Sequence, residues 1–171
     1  PFGAGANGAT PTAGQVQTSY DHFANDETVD VNLLMTGGWA DITSGATVQT
    51  HVIGIAESRK DCIALVSPSS DAVLSATPLT SVKTWLGTTM PTYSSYAFAD
   101  SNLKYQYDKH NDKYRWIPLN GDIAGLMVRT DADRDPWFSP AGLNRGTIKN
   151  AVKLAWDQSK ADRDEIYPKA I

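Results

Sequence analysis

Sulfur is nearly absent from the chemistry of this sequence: Cys62 is its one cysteine, so neither an internal disulfide nor a thiolate cluster can form. Cys62 sits in the apolar run Cys62-Ile63-Ala64-Leu65-Val66 and reads as a small core residue of a reducing compartment. Histidine is scarce as well. His22, His51 and His110 fall in a linker, a helix interior and a hairpin tip, and no C-x-x-C or H-x-x-x-H pair offers zinc its ligands. Basic residues are outnumbered, 15 Lys and Arg against 19 Asp and Glu, for a net charge of -4 and a pI near 5.2. Phosphate neutralisation needs clustered cations, so nucleic acid is not an expected partner. No run approaches the roughly 18 consecutive apolar residues of a membrane span, and no charged-then-apolar leader opens the chain. A membrane partner and export are therefore not expected.

What remains is an ordinary globular composition, 41% hydrophobic and 20% charged over 171 residues. A domain of that size can bury a sizeable core without staples. The start at Pro1 without methionine and the stop at Ile171 after a helix-like stretch suggest an internal fragment of something longer.

Residues 1–25 are rich in Gly, Ala and Thr and read as an irregular opening segment, with an α/β domain over 26–171. A first strand is expected over 29–35, closed by Thr36-Gly37-Gly38. Between 39 and 59, Ile42, Ala46, Ile53 and Ala56 recur at helical spacing, with Val48, Val52 and Ile55 widening the apolar face. Residues 61–66 form a continuous apolar strand ended by Ser67-Pro68-Ser69-Ser70. Leu79, Val82, Trp85 and Leu86 after Thr77-Pro78 predict a second helix, with Gly87 and Pro91 as stop signals. This alternation implies an α/β fold with a mostly parallel sheet flanked by helices.

Residues 93–100 and 103–107 then read as extended. Lys109-His110-Asn111-Asp112 makes the polar tip of an inserted β-hairpin that returns along Tyr114-Arg115-Trp116-Ile117. A buried helix is expected over 123–128. A longer one is expected over 148–163, with Thr147 as N-cap, Ile148, Ala151, Val152, Ala155 and Trp156 inside, and Lys149, Lys153, Asp157 and Lys160 outside.

Three motifs invite chemistry. Gly3, Gly5 and Gly8 spell G-x-G-x-x-G, but no strand precedes them, so they read as a flexible loop and not as a nucleotide cradle. Asp131, Asp133 and Asp135 alternate like a calcium loop, yet Pro136 and Gly142 stand where that loop needs Gly and Glu. With Arg129 and Arg134 interleaved, a local ion-pair network is the expected arrangement. Ser67, Ser69 and Ser70 follow a strand, where a nucleophile could sit, but Pro68 and the absence of G-x-S-x-G favour a plain loop.

The most specific stretch runs Gly121-Asp122-Ile123-Ala124-Gly125-Leu126-Met127-Val128-Arg129-Thr130-Asp131, then Arg134-Asp135-Pro136-Trp137-Phe138-Ser139-Pro140-Ala141-Gly142 and Asn144-Arg145-Gly146. It resembles the signature of contractile tail sheath proteins, most closely the sheaths of T4-like phages, and the order of elements over residues 26–171 resembles theirs. The resemblance implies a subtilisin-like topology without the protease's catalytic residues, and therefore no enzyme activity and no cofactor. It further implies a virion subunit, assembled in the host cytoplasm, whose copies stack helically on one another around a tail tube above a baseplate. Contraction of that sheath would drive the tube through the host envelope. The fragment by itself is expected to be monomeric, since the exchanged arms of family sheaths would lie outside it. Sheaths of tailocins or type VI secretion, and more remotely a subtilisin-like hydrolase, are the alternatives.

Within the motif, Gly121, Arg129, Asp131, Arg134, Asp135, Trp137, Pro140, Gly142, Arg145 and Gly146 are the structural candidates. Trp137 and Phe138, fixed by Pro136 and Pro140, are expected to form a buried plug contributing about 1.5 to 3 kcal/mol each. Lys109, Asp112, Lys149 and Lys153 are the interface candidates.

Overall fold

Side-chain caps decide where the first helices begin. The computed structural model describes residues 8–169. Gly3 and Gly5 lie outside them. Thr12 and Gln15 form a reciprocal capping box, with the Thr12 N–H donating to Gln15 Oε1 at 2.9 Å, and helix α1 (Ala13–Tyr20) follows. The irregular opening segment expected there is thus partly helical. Val16 and Tyr20, one turn apart, pack against the core, which the Gly- and Thr-rich composition conceals.

Strand β1 (Leu33–Met35) leads to α2 (Ile42–Arg59), capped by Asp41 Oδ1 accepting the Ser44 N–H at 2.7 Å and terminated where Lys60 turns left-handed at φ 64°. The expected face of α2 is buried through Ala46, Val48, Val52, Ile53, Ile55 and Ala56. Strand β2 (Ile63–Val66), helices α3 (Ser70–Val73) and α4 (Pro78–Thr84), and a π-turn over Trp85–Thr89 come next, before β3 (Ala97–Ala99). These strands form a parallel sheet in the order β1-β2-β3, with Leu33 opposite Ile63 and Ala64 opposite Ala97. The α/β class and its helical crossovers are as the sequence implied. Cys62 is buried beside this sheet.

The hairpin pairs β4 (Leu103–Asp108) with β5 (Lys113–Pro118) around a tip in which Asp112 takes φ 52°. Helix α5 (Asn120–Asp133) follows. It is longer than expected and less buried: Asn120, Ala124 and Thr130 are its buried residues, and Val128 is exposed.

The helix expected over 148–163 is absent. Instead β6 (Lys153–Leu154) pairs with the free edge of β4, giving a second sheet in the order β5-β4-β6, and a short helix α6 (Lys160–Ile166) starts later. Two tertiary forces override the helical period. Val152 N–H reaches the Tyr105 carbonyl at 2.8 Å and Ala155 N–H the Leu103 carbonyl at 2.9 Å, while Asn102 Nδ2 holds the Trp156 carbonyl at 2.8 Å. Asn150 sits at φ 58°, a conformation no helix interior allows. Ser159, and not Thr147, is the N-cap, and Val152, expected inside, is 62% exposed.

The sheets and α5 meet at one buried polar junction at the end of β2. Ser67 is 2% exposed; its hydroxyl donates to the Asp100 carboxyl group and accepts the Asn120 N–H at 3.0 Å. Its carbonyl accepts Gln49 Nε2 at 2.6 Å, and Gln49 Oε1 in turn accepts the buried Trp85 indole N–H at 2.9 Å. Asn120 Nδ2 donates to the Gly37 carbonyl at 2.8 Å. Burial pushes the Asp100 carboxyl up to about 7, against the opposing pull of its Ser67 and Asn102 hydrogen bonds.

Two outcomes follow from this junction. Gln49→Leu leaves the Ser67 carbonyl and the Trp85 N–H unpaired in the core, and should cost about 2 to 4 kcal/mol in urea denaturation; an unchanged midpoint would show that the amide is dispensable. The folded state holds the Asp100 proton more tightly than the unfolded chain, where the value is 3.8. Stability should therefore fall as pH rises from about 4 to 7, by on the order of 4 kcal/mol. Asp100→Asn should flatten that slope; a slope that persists in the variant would assign it to another group.

Candidate functional site

The serines singled out for chemistry, and His51, are engaged by the fold. Ser67 Oγ is held between Asp100 and Asn120 inside the junction, and the buried Ser69 hydroxyl donates to Asp71. His51 Nε2 bonds to Asp21 Oδ1 at 2.7 Å, joining α2 to the 3-10 turn Asp21–Phe23 that also carries His22, and His110 is exposed at the hairpin tip. No serine hydroxyl among the described residues is hydrogen-bonded to a histidine. Nor does any described group of three or more His, Cys, Asp or Glu side chains have the arrangement to hold a metal ion.

The ion-pair network expected of Arg129, Asp131, Arg134 and Asp135 does not form among the described residues. Asp131 and Asp133 lie on α5, where a two-residue step turns them about 200° apart. Arg129 Nη2 donates instead to the Arg145 carbonyl.

Beyond α5, residues 134–150 contain neither helix nor strand. The buried plug is overturned here: Trp137 is 78% exposed, Leu143 fully so, and Phe138 is also exposed. Polar fastenings shape this segment instead. Arg145 Nε and Nη2 donate to the Ser139 and Ala141 carbonyls at 3.2 and 3.3 Å, and Gly146 N–H closes onto the Gly142 carbonyl at 2.8 Å. Gly142 takes φ 132°, and a Cβ on Gly146 would stand 2.9 Å from the Gly142 oxygen, so neither position accepts a side chain. Pro140, Pro136 and Phe138 wall a shallow cavity of about 580 Å³ against Ile63 and Met127. Gly121 lies in the first turn of α5, with open space where a Cβ would be.

The hairpin forms the other prominent surface. Tyr105 stacks on Tyr114 with centroids 5.1 Å apart and touches Trp116 at 4.6 Å, while Lys153 Nζ lies 5.4 Å from the Tyr105 ring and 5.7 Å from that of Trp116. Lys153 is thus engaged in tying β6 to the ribbon. At the tip, Asp108 accepts Asn111 Nδ2 at 2.7 Å and Arg115 Nε at 2.9 Å, and its carboxyl is held below the usual range, chiefly by Asn111. Tyr107 donates its hydroxyl to Asp112 Oδ1 at 2.5 Å, which pushes the phenol up. Lys109 and Lys149 are exposed. Asp112, by contrast, is already committed within the tip through Tyr107.

The side chains that sequence reasoning passed over here are Leu143 and the tyrosines. A lone apolar residue in a polar loop carries no period, whereas the alternation Tyr105, Tyr107 across from Tyr114, Trp116 was a legible signal of one ribbon face.

No family model matches the sequence. Comparison with known proteins does give matches. The chain is 42% identical over 178 aligned positions to the tail sheath protein of Enterobacteria phage T4, covering 97% of this chain and 27% of that protein. It is 37% identical over 183 positions to the tail sheath protein of Vibrio phage KVP40, with the same coverages. A third match, the tail sheath protein of Salmonella phage ViI, is 37% identical over 125 positions, 72% of this chain and 20% of that protein. The chain thus spans about a quarter of the length of the curated relatives it matches. Matches that run through both sheets, the hairpin and the segment after α5 place this chain in the tail sheath protein family.

Proposed function

We propose that this chain is part of a structural subunit that polymerises helically around a phage tail tube and, by contracting, drives the tube through the host envelope. The observation that carries this reading is the 42% identity to a phage tail sheath protein across 97% of the chain. The subunit acts by packing and not by catalysis, in keeping with a Ser67 hydroxyl enclosed between Asp100 and Asn120. Its partners are further copies of itself, the tube and the baseplate, in a virion assembled in the host cytoplasm. We assign the sheath α/β domain to residues 26–171, with α1 of the opening segment docked on it. The parallel sheet supports the subtilisin-like topology expected of that domain.

The surface fits such a role. Trp137 and Leu143 stand out from a segment fastened by Arg145, Gly142 and Gly146, so apolar side chains are presented on a fixed frame instead of a mobile one. Exposed apolar groups of this kind mark contact surfaces. The hairpin tip, with Lys109 and Asp112, and the exposed Lys149 add polar contacts. Non-closing contacts between unlike patches generate open helical assemblies, and rigid subunits confine the change on contraction to their interfaces.

Electron microscopy of the full-length protein should show long helical tubes; only isolated particles under all assembly conditions would end the sheath reading. Trp137→Ala should leave stability within about 0.5 kcal/mol, as for surface substitutions generally, while reducing tube formation. A large loss of stability would place the indole in a core, and undiminished assembly would remove it from the interface.

A further inference from the structure

Although the chain carries a net charge of -4, three arginines surround one cleft of about 520 Å³: Arg129, Arg134 and Arg145, with Thr130, Asp133 and Asn144 completing it. None of the three forms an ion pair with a described residue. Arg129 is anchored on the Arg145 carbonyl, and Arg145 on the Ser139 and Ala141 carbonyls. Carbonyl acceptors satisfy N–H groups but cancel no charge. Asp133 is the single carboxylate lining the cleft beside three guanidinium groups, so the cleft keeps an excess positive charge, with Arg129 and Arg145 held in place by carbonyls. Such a cleft is suited to carboxylates, which guanidinium groups bind in a forked geometry.

The complementary feature lies elsewhere on the same chain. Asp26, Glu27 and Asp30 are exposed, and none of them pairs with a described cation. Their turn is held from beneath by Arg59, whose buried guanidinium donates to the Phe23 carbonyl at 2.8 Å and the Val29 carbonyl at 2.9 Å while gripping Asp61. The Glu27 N–H is fixed on Asn25 Oδ1 at 2.9 Å. Three carboxylates thus stand on a preset turn, and ordering them on binding costs little.

We propose that the cleft of Arg129, Arg134 and Arg145 docks the turn bearing Asp26, Glu27 and Asp30 of a second copy of this chain. This rests on the assembly reading above and names two of its contact patches. Because cleft and turn are different surfaces, the contact is head-to-tail. Each added copy exposes a fresh cleft or a fresh turn, so the pairing propagates, into a ring or an open helix according to the rotation between copies. Charge complementarity of this kind also fixes which faces meet and speeds their encounter.

The test uses charge reversal in the full-length protein, with tube formation followed by light scattering and microscopy. Arg129→Glu with Arg134→Glu, and separately Asp26→Lys with Glu27→Lys, should each slow assembly at least about tenfold at low salt, while the protein stays folded with only a small drop in melting temperature for the arginine pair, which gives up the Arg129 bond to the Arg145 carbonyl. Combining all four substitutions in one chain restores the complementarity with its signs exchanged, and should recover most of the lost rate. Wild-type assembly should slow as sodium chloride is raised from about 50 to 500 mM. Reversals without effect, or a four-fold variant that folds but does not recover, would overturn the pairing; the latter would assign the cleft to the tube or another acidic partner. Mixing Arg134→Cys protein with Glu27→Cys protein reads the same contact directly. A disulfide-linked dimer is expected under oxidation even where no tube forms, which keeps the docking separable from the sheath reading, and its absence would also defeat the pairing.

Discussion

Ser67 is the point on which the rest of the structure turns. Its carbonyl, hydroxyl and position at the end of β2 draw in α2 through Gln49, the end of β3 through Asp100, and α5 through the Asn120 N–H. A polar group buried without a partner costs as much as several apolar contacts contribute. These pairings are therefore conditions on the packing of every element around them. With Asn102 next in line, bonding the Asp100 carboxylate, the Trp156 carbonyl and the Ala155 N–H, the same network reaches the second sheet. No buried side-chain polar atom among the described residues lacks a partner. One connected network accordingly joins two small sheets that neither shares strands nor merges its hydrogen-bond ladders.

Outward from that network the means of holding the chain changes. Near the parallel sheet, apolar burial by Val52, Ile53, Leu65 and Trp85 dominates. Across residues 134–150, carbonyl anchoring by Arg145 and the close approach of Gly142 and Gly146 take over. A segment fixed by backbone contacts does not need its large apolar side chains for stability, and so Trp137 and Leu143 can stay exposed on it. The same economy appears at the hairpin tip, where Asp108 binds Asn111, Arg115 and two backbone N–H groups and makes the ribbon stiff to its end.

Stiffness of this kind has a functional reading. Under the proposed function, compliance inside the domain would absorb free energy that is released when copies change contacts. Among the described residues every buried side-chain polar atom has a partner, and under the proposed function a stiff interior of that kind would leave displacement to the boundaries between copies.

The sequence by itself determined the parallel α/β layer, because α2 and β2 announce themselves through period and through unbroken apolar runs such as Ile63 to Val66, whose meaning depends only on neighbours in the chain. The hairpin was legible for the same reason, its polar tip Lys109 to Asp112 lying between alternating aromatics. The motif from Gly121 to Gly146 likewise identified the family, since recognition of a pattern does not require knowing which side chains it buries. Tertiary structure alone decided the rest. Residues 148–163 carry a helical period, yet the open edge of β4 offered backbone partners that a helix could not match, and Asn150 broke the run. Trp137 looked like core because size and apolarity are local properties, whereas burial depends on whether another surface arrives to cover it. The pairing of Ser67 with Asp100 and Asn120 joins positions 33 and 53 residues apart, a separation across which no sequence spacing carries information.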